Sequence, residues 1–190
     1  TNNGGVRSDL IVNPDKSITW GAAQAVQPFG NVLQIVQLTG QQIYDALNQQ
    51  YDESERYFLQ MAGLHYLYTD NPTGGQDTPY KVVKAFKDDG SEIDPSAKYK
   101  VVINDFLYGG GDGFSALRGV PLIGAVDPDT ETFVNYLKKQ EAAGKTIDQP
   151  TLNHKTYVTV QTSSSYLDRP DGRHLVTIET YLDRQGQEVG

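Results

Sequence analysis

Apolar and polar positions along the chain fall into short runs that predict strands and helices in no fixed alternation. Val32-Leu33-Gln34-Ile35-Val36-Gln37-Leu38 has the β-rich character of a strand, closed by Thr39-Gly40. Directly after it, Ile43, Tyr44, Leu47 and Tyr51 recur at helical spacing. That predicts an amphipathic helix from Gln41 to about Tyr51, with Thr39 near its cap. Leu64 to Tyr68 reads as a strand ending in the loop Asp70 to Gly75, and Tyr80 to Phe86 as another, followed by a hairpin-like turn at Lys87-Asp88-Asp89-Gly90. Tyr99 to Ile103 is a further strand. Phe133, Val134 and Leu137 mark the buried side of a helix over Thr130 to Glu141, with Asp127 or Asp129 near its start. Nearer the N-terminus, Gly4 to Ile18 is turn-rich, with a tight turn at Asn13-Pro14-Asp15, and Ser17 to Ala25 reads as a strand end feeding a short helix capped by Thr19.

After Gly144 the texture changes. Tyr157 to Gln161 and Leu175 to Thr180 alternate like exposed strands, separated by Ser163-Ser164-Ser165 and Arg169-Pro170-Asp171-Gly172. Strands and helices without regular βαβ alternation predict an α+β fold, a layered domain with mixed β-sheet and packed helices. The expected organisation is one domain over 1–150 and an appendage or linker over 151–190.

Composition narrows the function classes. A net charge of -8 argues against nonspecific binding of a nucleic acid polymer, which needs a basic footprint, but leaves room for one small anion held by a local arginine. The absence of cysteine removes disulfides, thiolate metal sites and cysteine nucleophiles. No apolar run approaches the length of a membrane-spanning helix, so no direct membrane insertion is expected. The start at Thr1-Asn2-Asn3-Gly4-Gly5, without methionine, reads as a piece of a longer polypeptide.

Three segments carry candidate chemistry. Asn104-Asp105-Phe106-Leu107-Tyr108-Gly109-Gly110-Gly111-Asp112-Gly113-Phe114 combines a flat ring, three bare backbone units and one carboxylate at the end of a strand. Glycines are tolerated where backbone turns sharply or approaches something closely. A ring, bare amides and an acceptor together suit a planar polar ring such as a nucleobase. The alternative is a tight turn with Phe106 continuing the strand into the core. In Asn2-Asn3-Gly4-Gly5-Val6-Arg7 the amides and guanidinium can converge on a phosphate or carboxylate. A glycine turn with a surface arginine is the simpler account of that segment by itself. In Gln27-Pro28-Phe29-Gly30-Asn31 the Phe29 ring can project from a loop, although loop aromatics more often plug a core.

Other sites are weaker. His65, His154 and His174 are scattered, with no pair at metal-ligand spacing, and no Gly-x-Ser-x-Gly elbow is present. Asp127, Asp129 and Glu131 are better explained as a solvated helix N-terminus than as calcium ligands. The expectation is no catalytic residue and no metal ligand in this chain.

The ordered set Asn2 to Arg7, Pro28-Phe29-Gly30 and Asn104 to Phe114 resembles the C-terminal domain of the 5'-nucleotidase family. That family includes UDP-sugar hydrolases, ecto-5'-nucleotidases and 2',3'-cyclic nucleotide phosphodiesterases. Ile18-Thr19-Trp20, Leu38-Thr39-Gly40 and Phe58 to Gly63 add to the resemblance, which spans about 1–147. Each motif is short, but the order of the set is specific. One departure is Gly109, standing where the family has a variable residue before two glycines.

The resemblance implies that Phe29 and Phe106 sandwich a nucleobase, that Asp112 accepts a hydrogen bond from a ribose hydroxyl, and that Arg7 and Asn2 face the phosphate or the ring edge. It further implies that hydrolysis belongs to an N-terminal metallophosphoesterase domain of the same polypeptide holding two divalent metals, and that this chain alone binds a nucleoside or nucleotide without hydrolysing it. An extracytoplasmic location, secreted, periplasmic or cell-wall associated, is expected with it. The alternative is a noncatalytic surface or adhesion module that keeps the fold without binding nucleotides, an idea prompted by the strand-like 151–190 segment.

Overall fold

The computed structural model describes residues 1–50, 58–76 and 78–190. In chain order the elements are α1 (Trp20–Val26), β1 (Val32–Thr39), α2 (Gly40–Asn48), β2 (Leu64–Asp70), β3 (Tyr80–Lys87), β4 (Lys98–Asn104), α3 (Asp105–Tyr108), β5 (Leu122–Pro128), α4 (Asp129–Ala142), β6 (Lys155–Tyr157), β7 (Thr159–Arg169) and β8 (Gly172–Leu182). The fold is α+β. The described residues form two units. One holds Thr1–Met61 with Ile93–Thr151, the other Ala62–Glu92 with Leu152–Gly190.

The first unit is built on an antiparallel sheet ordered β4-β1-β5. The pairing of β1 with β4 runs without a slip from Leu33 opposite Asn104 to Thr39 opposite Lys98. Because side chains alternate across a strand, this register sends Val36, Leu38 and Ile103 into the core and leaves Val102 on the other face, 55% exposed. The β5 strand, which apolar patterning did not flag, pairs with the other edge of β1 through two register shifts. Its exposed Leu122, Ile123 and Val126 alternate poorly, which hides it as a strand.

Thr39 ends β1 and starts α2 in one residue. Its hydroxyl accepts from the Gln42 N–H at 3.2 Å and the Gln42 side chain accepts from the Thr39 N–H at 2.9 Å, a reciprocal capping box. The helix expected from Gln41 thus begins at Gly40 and runs to Asn48, while Tyr51 lies outside the described residues. Ile43, Ala46 and Leu47 are its buried face. Thr19 caps α1, accepting from the Ala22 N–H at 3.1 Å. Helix α4 starts at Asp129, whose carboxylate accepts from the Thr130 N–H.

The second unit carries a mixed sheet ordered β3-β2-β6, in which β2 and β3 are antiparallel and β6 lies parallel to β2. Leu67, Phe86 and Val158 form its core, with Val83, Tyr181 and Val189 packed against them. Val158 is fully buried and donates its N–H to Tyr68 O at 2.8 Å. Residues of the 151–190 segment therefore pack against β2 and β3 through β6 and Val158. The turn after β3 leads back only as far as Glu92, which bridges Phe86; β4 joins the other sheet instead. Strands β7 and β8 form a long antiparallel ribbon whose residues are mostly exposed.

Candidate functional site

All five sequence-expected site residues lie in the first unit, and hydrogen bonds and strand register bring them to one end of its sheet. Phe106 and Phe29 flank paired strand ends. Leu33 stands opposite Asn104, Phe106 follows Asn104 by two residues, and Phe29 precedes Leu33 by four. Neither ring is in the core: Phe29 is 55% exposed and Phe106 44% exposed. The buried aromatic of the glycine segment is Phe114 instead, with no exposed surface.

Phe106 does not continue the strand. Asn104 ends β4 with extended backbone and caps α3, its Oδ1 accepting from the Leu107 N–H at 2.8 Å. Phe106 is the second residue of that turn, and Leu107, 1% exposed, anchors it from below. The glycines that follow give the ring its place. A β-carbon on Gly111 would stand 2.5 Å from Cε1 and Cζ of Phe106, so only glycine lets the backbone lie against the ring. Gly110 is left-handed (φ 79°), and so is Asp112 (φ 55°), an uncommon conformation for a residue with a side chain. Arg118 secures the turn by donating from Nε to Gly109 O at 3.2 Å.

Asp112 is held by the N-terminal loop. Asn2 Nδ2 donates to Asp112 Oδ2 at 2.6 Å, and Asn2 Oδ1 accepts from Asn104 Nδ2 at 3.5 Å. Asn2 is only 5% exposed, so it stands behind the carboxylate. Its loop is fixed by backbone bonds from Asn3 N to Phe58 O at 2.9 Å and from Gln60 N to Thr1 O at 2.7 Å. The Phe58 to Gln60 phrase thus supports the site by pairing with the Asn2 loop.

Arg7 approaches from the other side. Its backbone N–H donates to Val26 O, at the end of α1, at 2.9 Å, and its guanidinium carbon lies 5.8 Å from the centre of the Phe29 ring. The Phe29 loop is clamped by α4: the Thr130 hydroxyl donates to Gln27 O and the Asp129 N–H to Asn31 O, the latter at 2.8 Å. Sequence reasoning passed over Asn104, Gln49 and Thr130 as site supports. Asn104 had a legible signal, an Asn one residue before a short polar-apolar run, but Gln49 and Thr130 act through tertiary contacts. Gln49 donates to Ser115 Oγ at 2.7 Å and accepts from the Ala116 N–H at 3.1 Å, fixing the chain just after Phe114.

The arrangement offers two exposed aromatic faces, a guanidinium beside one, and an anchored carboxylate near the other. It has the parts to hold a flat ring bearing hydroxyls and an anion. Among the described residues no three His, Cys, Asp or Glu side chains gather as a metal site, so no step through a metal is assigned to them.

The 5'-nucleotidase, C-terminal domain model matches residues 1–119. Cell wall protein Lmo0130 of Listeria monocytogenes is 56% identical over 160 residues, covering 83% of this chain and 20% of that protein. Human 5'-nucleotidase is 31% identical over 147 residues, covering 74% of this chain and 26% of that protein. The crystal structure of a 5'-nucleotidase precursor from Thermus thermophilus superposes with a TM-score of 0.65 at 31% identity, covering 82% of this chain and 30% of that one. The chain therefore spans less than a third of each of these relatives. With more than half of its residues matched by the family model, the chain belongs to the 5'-nucleotidase C-terminal domain family.

Proposed function

We propose that this chain is the substrate-binding domain of a bacterial 5'-nucleotidase or 2',3'-cyclic nucleotide phosphodiesterase, and that Phe29 and Phe106 stack on opposite faces of the nucleobase. The observation that carries the proposal is the placement of two exposed phenylalanine rings beside the paired ends of β1 and β4, one with Arg7 against it and the other on the Asp112 loop. Stacking a base on an exposed ring contributes on the order of 1–3 kcal/mol. Stacking tolerates different bases, since each has a π-face. In this reading Asp112 accepts from a ribose hydroxyl, Arg7 meets the phosphate, and Asn2 holds Asp112 in place.

Hydrolysis then belongs to a preceding metallophosphoesterase domain whose two divalent metals supply the activated water. This chain presents the substrate and does not cleave it. The name of the Listeria relative supports a place at the cell surface. Titration of adenosine and AMP into the chain by calorimetry tests the proposal. Phe29→Ala and Phe106→Ala should each weaken binding about tenfold or more; unchanged affinity in both would remove the stacking assignment.

A second reading, a surface module that keeps the fold without binding nucleotides, is favoured by that same relative's name and by the exposed β7–β8 ribbon. It is distinguished by the absence of adenosine binding even when a complete phosphoesterase domain precedes the chain.

A further inference from the structure

We infer that Asn104 is a positioning residue that ties the Phe106 ring to the Asp112 carboxylate, so that base stacking and sugar recognition are set by one buried amide. The inference rests on the reading of the site as a nucleoside pocket and extends it to a residue outside the ligand contacts assigned above.

Three hydrogen bonds run in series: the Leu107 N–H to Asn104 Oδ1 at 2.8 Å, Asn104 Nδ2 to Asn2 Oδ1 at 3.5 Å, and Asn2 Nδ2 to Asp112 Oδ2 at 2.6 Å. Amide oxygen and nitrogen are interchangeable in shape, so direction must come from the ends of the series. Here both ends are fixed. The Leu107 N–H can only donate, which turns Asn104 Oδ1 toward it and leaves Asn104 Nδ2 for Asn2. The Asp112 carboxylate oxygen accepts, which demands the nitrogen of Asn2 and leaves its oxygen for Asn104. One orientation of each amide satisfies every bond.

Burial gives the series its weight. Asn104 is 2% exposed and Asn2 5%, so water does not replace a bond lost there. At one end the series fixes the first turn of α3, which carries Phe106. At the other it fixes the plane of a carboxylate on a left-handed residue (φ 55°) in the middle of a single three-residue turn, Gly111–Gly113. A carboxylate has about four acceptor sites; with one occupied by Asn2, its orientation is set while others can serve a sugar hydroxyl.

The test uses the 190-residue chain with two probes, adenine and adenosine, followed by ligand-observed NMR. Asn104→Ser keeps an effective helix cap but is too short to reach Asn2. The variant should lose about 3- to 10-fold more affinity for adenosine than for adenine. Asn104→Ala, which also removes the cap, should weaken adenine as well. Asn104→Asp is the second route should the serine variant not fold: it keeps the cap acceptor but draws the Asn2 nitrogen away from Asp112, and should show the same selective loss for adenosine. Equal losses for both probes in the serine and aspartate variants, or no loss for adenosine in them, would overturn the positioning role. If the unaltered chain binds neither probe, the nucleoside pocket itself fails, a result distinct from binding that Asn104 does not influence.

Discussion

Gly111 lies against the ring of Phe106 so closely that a β-carbon there would stand 2.5 Å from two ring carbons. A contact that short cannot be made, and the neighbour that must move is the ring, since the atoms in the way all belong to the partly exposed Phe106 side chain. Gly111→Ala should therefore displace Phe106 and reduce adenosine affinity about tenfold, the scale of one lost stacking face. Thermal unfolding of the variant should change little, because the ring is 44% exposed and Gly111 keeps an ordinary backbone φ. Calorimetric titration beside a melting curve checks both halves. Undiminished affinity would mean that the ring does not need this place.

The Arg7 guanidinium, 5.8 Å from the Phe29 ring centre, sits in a chain of net charge -8. A phosphate entering such a protein meets general repulsion, which a local cation offsets. Arg7→Ala should cost AMP about tenfold and adenosine about threefold or less, the smaller loss reflecting only the cation–π contact with Phe29. Raising salt should shrink the gap between the two ligands. Equal losses for AMP and adenosine would reassign Arg7 to the base or the ribose.

How far the sequence discloses this site depends on how local the signal is. Thr39 and Gln42 sit three residues apart, so the capping box and the start of α2 are legible from spacing alone. Phe106 was ambiguous because β-rich residues run directly into it, and the cap that ends the strand, Asn104 on the Leu107 N–H, is a single side-chain choice. The grouping of Asn2 with Asp112 is invisible to periodicity, since 110 residues separate them; only the ordered resemblance pointed to it. Strand β5 was missed because its exposed apolar residues do not alternate, and the parallel pairing of β6 with β2 joins residues about 90 apart in sequence, which no local pattern encodes.

Gly40 shows a tighter restriction than any glycine of the site. A β-carbon on it would lie 2.0 Å from Asp94 O, with the backbone of Asp94 and Pro95 immediately behind. That backbone is itself pinned, since the Gly40 N–H donates to Ala97 O and the Gln41 N–H to Pro95 O, each at 2.9 Å. Gly40→Ala should destabilise the chain by about 3 kcal/mol, at the upper end of overpacking costs. The helix it opens ends near Gln49, which holds Ser115 and Ala116, so adenosine affinity should fall with stability. Urea unfolding followed by circular dichroism measures the first effect. A loss under 1 kcal/mol would show that the Asp94–Pro95 segment yields.

Val158 connects the 151–190 segment to the β2–β3 strands. It has no exposed surface, packs with Leu67 and Phe86, and donates its N–H to Tyr68 O at 2.8 Å. Val158→Ala leaves a small cavity in a core of three fully grouped side chains, which should cost about 1–3 kcal/mol. Because the site residues belong to the other unit, adenosine affinity should stay within twofold of its original value. Limited proteolysis should then cut first within 62–92 or 152–190, where the loosened strands lie. If instead Val158→Ala lowers adenosine affinity as much as stability, the two units do not unfold independently, and the β2–β3–β6 sheet becomes part of what holds the pocket in place.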